Sequence, residues 1–107
     1  MEARYDKLVR DKIPSIIRAQ GRIPVVRALA AEEYQTALVD KLREEVEEFA
    51  ESRDLAELAG IWEVVVAVAG AMSVSEDALR DMRREKAERN GTFEKRIFLE
   101  KVVTPEP

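Results

Sequence analysis

The chain has 107 residues, a net charge of −4 and a 46% apolar share, which fits one helix-rich globular domain spanning 1–107. An acidic chain excludes non-specific binding to polymeric nucleic acid, which requires a basic surface. It contains no Cys and no His, so disulfides, thiolate nucleophiles and imidazole ligands are excluded, and any metal site is all-oxygen.

The N-terminus, MEARYDKLVRDK, is charged and lacks the apolar core of a signal peptide. The longest apolar run, 58–72, is shorter than a membrane span and carries Glu63. These features predict a cytoplasmic protein that does not engage a membrane.

In chain order, Asp11 is the expected N-cap of a first helix over 12–20, with Pro14 in its first turn and Gly21 just past its end. The β-branched stretch 22–29 reads as extended. A second helix over 31–52 places Leu38, Leu42, Val46 and Phe49 on one core face. Glu45 lies at the edge of that face and Glu48 further round, while Glu44 and Glu47 turn toward solvent. Surface pairing of Lys41 with Glu44 and Glu45 accounts for much of this acidic packet taken alone.

A short break at 52–54 leads into a third helix over 54–72, capped by Ser52 or Asp54. It is apolar nearly all round, yet Glu57 shares a face with Ile61, Val64 and Val68. An ionised carboxylate among apolar side chains is expensive unless paired, protonated or metal-bound. Gly60 has a simple alternative explanation, close helix packing, and Trp62 reads as a core or interface aromatic. A helix this apolar is central to a bundle or buried between subunits.

Ser73 or Ser75 caps a fourth helix over 76–90, which turns basic at Lys86 and Arg89 and stops at Gly91. The tail is expected to pair 95–103 with 23–29 as a two-stranded ribbon. The overall expectation is an all-α bundle of four to five helices with that small ribbon added. Acids on adjacent helices, facing basic residues at Lys7, Arg10, Lys12, Lys86 and Arg89, make a combination suited to a metal–polyphosphate ligand.

Four stretches in order, YDKLVRDKIPSII, KLREEVEEF, LAELAGIWEVV and EKAERNGTFEKRIFLEKV, cover nearly the whole chain. On these the sequence resembles the MazG-like all-α nucleoside triphosphate pyrophosphohydrolases, in their phosphoribosyl-ATP pyrophosphohydrolase-like branch. The resemblance implies Mg²⁺-dependent (or Mn²⁺-dependent) hydrolysis of a nucleotide substrate to the monophosphate and pyrophosphate, by a homodimer or homotetramer. The family motif, EExxE followed by ExxD, falls on Glu44, Glu45, Glu48 and Glu57, and its Asp falls at Gly60. Carried over, Glu45, Glu48 and Glu57 hold the metal, Glu44 and Glu45 serve catalysis, and Lys7, Arg10, Lys12, Lys86 and Arg89 hold phosphate. Gly60 weakens that expectation and leaves open a nucleotide-binding protein with impaired turnover, or a structural helical oligomer. By the same logic, an Asp at position 60 is expected to add a ligand and tighten binding.

Overall fold

The computed structural model describes all 107 residues. Four helices account for its regular structure: α1 (Ile13–Ala19), α2 (Ala31–Ser52), α3 (Leu55–Ala71) and α4 (Glu76–Asn90). This is a small all-α helical bundle. No single helix is long and apolar enough to cross a membrane.

The helix ends follow local chemistry. Asp54 caps α3 by accepting a hydrogen bond from the Ala56 amide at 3.1 Å, and Ser75 caps α4 by accepting from the Ala78 amide at 3.1 Å. Ser73 and Glu76 have the spacing of a capping box, but Ser75 takes the cap position and Glu76 accepts from Trp62 Nε1 at 3.1 Å and Arg80 Nη2 at 3.0 Å. Asp11 does not cap α1; its cap position is Lys12, in a helical conformation with no side-chain bond. Pro14 near the helix start fills the first turn without needing its missing N–H.

The turn between α2 and α3 sets the rest of the molecule. Arg53 takes the left-handed conformation (φ 55°), its amide bonds Phe49 O at 2.8 Å, and α2 stops there. Two residues later α3 runs back antiparallel. At the far end Gln35 Nε2 donates to Ala71 O at 3.2 Å, satisfying a carbonyl that the end of α3 leaves free. A non-glycine residue in this conformation costs about 1 kcal/mol. Arg53→Gly is therefore expected to raise the melting temperature by a few degrees, offset slightly by loss of the 3.1 Å bond from Arg53 Nε to Ala50 O. Unchanged or lower melting would show that the side chain, not the backbone strain, dominates at this turn.

α2 and α3 pack along their lengths, α4 leans on α3 with a smaller contact, and α1 packs on no other helix. Leu38 on α2, with Gly60, Val64 and Ala69 on α3, are the buried residues. Val46, expected on the core face, is 48% exposed, whereas Leu42 and Phe49 on the same face are part-buried.

The expected ribbon is absent. Residues 23–29 and 95–103 form no strand and no backbone pairing with each other. Ile23, Val25, Ile97, Phe98 and Val102 remain exposed there. A lone two-stranded ribbon is marginal without packed support, and nothing in the chain lies against it. The result is an elongated molecule, 72 × 31 × 24 Å, with a radius of gyration of 19.4 Å. A compact domain of this length has a radius near ~13 Å.

Candidate metal centre

The antiparallel register of α2 and α3 brings the acids together. Near the turn, Glu48 and Glu57 face one another, and one helical turn further on Glu45 lies over Gly60. One oxygen from each of Glu45, Glu48 and Glu57 falls within a cluster whose members are no more than 4.8 Å apart. Three carboxylates from two helices thus converge with a spacing that suits a metal ion. Glu45 is largely enclosed, its side chain 12% exposed, whereas Glu48 lies open. Glu57 is half-buried on the α3 face that also carries the buried Val64, as its position in the apolar stripe predicts.

Crowding of like charge has an electrostatic signature. The Glu48 carboxyl is held above the usual carboxylate range by partial loss of hydration, then by repulsion from Glu45, Glu57 and Glu44. A divalent cation removes the repulsive part of this penalty directly. The donor set, three oxygens with no sulfur or nitrogen, fits a hard cation.

Glu44 lies beside the trio but outside it. It accepts from Lys7 Nζ at 3.0 Å and from Lys41 Nζ at 3.3 Å, and Lys41 also stands 3.6 Å from Glu45. The Lys7 bond is the chief reason the Glu44 carboxyl falls below its ordinary range, and the Lys7 ammonium is raised in return. Lys41 is the residue that sequence reasoning undervalued. Its spacing to Glu44 and Glu45 reads as ordinary surface pairing, yet its side chain is only 16% exposed and bridges both acids.

The N-terminal segment supplies two of the expected basic residues. Lys7 is on Glu44, and Arg10 reaches the α2–α3 seam: Arg10 Nη2 is 3.8 Å from where a Cβ on Gly60 would stand. Glu45 Oε2 is 2.6 Å from the same point, so position 60 does face the site. Lys12 remains exposed at the start of α1.

Lys86 and Arg89 are placed elsewhere. With Trp62, Val65, Leu79 and Met82 they line an open cleft of about 380 Å³ between α3 and α4. Trp62 projects roughly 200° round α3 from Gly60, α4 does not pack on α2, and no ion pair joins Lys86 or Arg89 to the acids. The expected confrontation of acids with these two bases does not occur within one chain. The Trp62 ring instead carries Arg80 at 5.8 Å from its centroid, a cation–π contact. Glu63, counted with Glu57 as an acid on the apolar helix, is exposed and needs no partner.

Fold and site together describe an all-α chain with a three-carboxylate group on an antiparallel helix pair. An uncharacterized protein of Mycolicibacterium smegmatis (strain ATCC 700084 / mc(2)155) is 56% identical over 52 residues, which are 47% of this chain and 53% of that protein. The similarity thus spans about half of each. No protein-family model and no solved structure matches the chain.

Proposed function

We propose that the chain hydrolyses a nucleoside triphosphate to its monophosphate and pyrophosphate with Mg²⁺ (or Mn²⁺) held by Glu45, Glu48 and Glu57. The observation that carries this reading is the convergence of those three carboxylates from two helices within 4.8 Å. The resemblance to the MazG-like pyrophosphohydrolases supplies the reaction. The cation, when bound, supplies positive charge to the phosphates and polarises them toward attack.

The rest belongs to the chain. A water oxygen attacks the α phosphorus, the bond to the bridging oxygen breaks, and pyrophosphate leaves while the water's proton passes to a carboxylate. Glu44, kept ionised by Lys7 and Lys41, orients that water as a hydrogen-bond acceptor. Arg10 at the seam, Lys7 once it turns from Glu44, and Lys12 neutralise phosphate oxygens. Lys86 and Arg89 join them from a second copy of the chain, in a homodimer or homotetramer. Such a reaction belongs in the cytoplasm, where triphosphates and Mg²⁺ coexist.

Purified chain incubated with a panel of triphosphates and Mg²⁺ or Mn²⁺ is expected to release pyrophosphate. Release of orthophosphate alone, or of nothing across the panel, overturns the reading. A nucleotide-binding protein with impaired turnover is the second reading, favoured by Gly60, which adds no carboxylate, and by the lysines that occupy Glu44. It predicts no pyrophosphate but a rise in melting temperature with a non-hydrolysable triphosphate. A structural helical oligomer, favoured by the exposed apolar segments, predicts neither.

A further inference from the structure

Gly60 is a glycine without a backbone reason. It lies inside α3, buried, and not among the residues of positive φ. Glycine is a poor choice in a helix interior, and close approach of the α2 backbone is not what excludes a side chain here. A Cβ at position 60 would meet Glu45 Oε2 at 2.6 Å and Glu45 Cδ at 3.4 Å, with Arg10 Nη2 next at 3.8 Å. The atoms that fill the space belong to a carboxylate. Gly70, on the same helix, has nothing within 4 Å of its own Cβ position, so close packing does not explain the helix's glycines as a group.

We propose that Gly60 is a positioning residue: its missing side chain is the seat of the Glu45 carboxylate, which brings that group across the α2–α3 seam to Glu48 and Glu57. Glu45 thereby occupies the space that a carboxylate borne by residue 60 would claim. Position 60 and Glu45 are alternatives for one ligand place. A side chain at 60 does not break the fold, because the atom it displaces is the far end of a flexible glutamate. It moves Glu45 out of the cluster instead. The inference about metal rests on the three-carboxylate reading above, whereas the seat itself does not.

Two measurements separate these layers. The first is metal-free melting of the parent, Gly60→Ala, Glu45→Ala and the double variant. With Glu45 shortened, Ala at position 60 meets only Arg10 Nη2, at an ordinary contact distance of 3.8 Å, and is expected to raise melting by about 4 °C through helix propensity. With Glu45 in place the rise shrinks or reverses, because the seated carboxylate must move. Equal rises in both backgrounds overturn the seat.

The second is Mn²⁺ titration followed by the electron paramagnetic resonance of the free ion. Gly60→Ala is expected to weaken binding by about tenfold, the scale of losing a group that orients a ligand. Gly60→Asp is expected to bind within about threefold of the parent, because the introduced carboxylate exchanges for that of Glu45 rather than adding to it. Glu45→Gln should then cost little affinity in the Gly60→Asp background and much in the parent. A Gly60→Ala protein that binds Mn²⁺ as the parent does overturns the proposal. A parent that binds no Mn²⁺ overturns the metal reading, while the melting cycle still judges the seat.

Discussion

Glu57→Gln is expected to weaken Mg²⁺ or Mn²⁺ binding by roughly a hundredfold or more, because the charge count of an oxygen site tunes its affinity over orders of magnitude. Glutamine keeps the length and packing of the half-buried side chain and removes only the charge. Glu45→Gln and Glu48→Gln act on the same trio, so each single change is expected to remove most binding and the double changes little more. Without metal the effect on stability has the opposite sign. Glu48 is raised above the ordinary carboxylate range, so the folded chain holds its proton to higher pH than the unfolded chain does. Its contribution is therefore most favourable below the unfolded value and declines as pH rises through the folded one. Glu48→Gln abolishes that decline. Melting curves from pH ~4 to pH ~8 without metal, beside a titration at neutral pH, read both effects. If all three Gln variants bind Mn²⁺ like the parent, the cation is held elsewhere.

The second large expectation concerns assembly. In solution the chain is expected to be a homodimer or homotetramer. One copy buries only four residues, three of them apolar side chains, which is too little core to offset the conformational entropy of folding. Phe93, Ile97, Phe98, Leu99 and Val102 lie 73–96% exposed. Burying a large aliphatic or aromatic side chain is worth about 1.5–3 kcal/mol, so this segment alone represents substantial unspent stabilisation. In the proposed assembly a second copy covers this segment and also brings Lys86 and Arg89 to the acids. Light scattering at micromolar concentration decides the matter: a mass of 12.2 kDa would show that one chain stands alone. Phe98→Asp is expected to shift the mass toward that value and lower the melting temperature, since a charge on the covered segment loses its apolar contact.

These two expectations draw on different amounts of sequence. The bounds of α2 and α4 were legible to the residue, and α3 to within one at each end. They depend on local rules: periodic apolar residues, Asp54 and Ser75 as caps, and Gly91 as the stop. The acids of the site were legible for the same reason, because the helix period puts Glu45 and Glu48 on adjacent faces of one helix and Glu57 on the inner face of the next. Two local signals were not used as caps. Ser75 rather than Ser73 takes the cap of α4 while Glu76 bonds Trp62 and Arg80, and Lys12 rather than Asp11 stands at the start of α1.

What the tertiary structure alone decided is the register of α2 against α3. That register places the Glu45 carboxylate over Gly60, and the packing of α4 on α3 sets Trp62 with the basic end of α4 on the opposite side of α3. Neither is a property of a single helix, because periodicity sets which face a residue occupies but not which residue faces it across a seam. The missing ribbon has the same cause. Segments 23–29 and 95–103 have strand-forming composition, but a strand exists only with a partner, and the position of a partner is not written in local sequence.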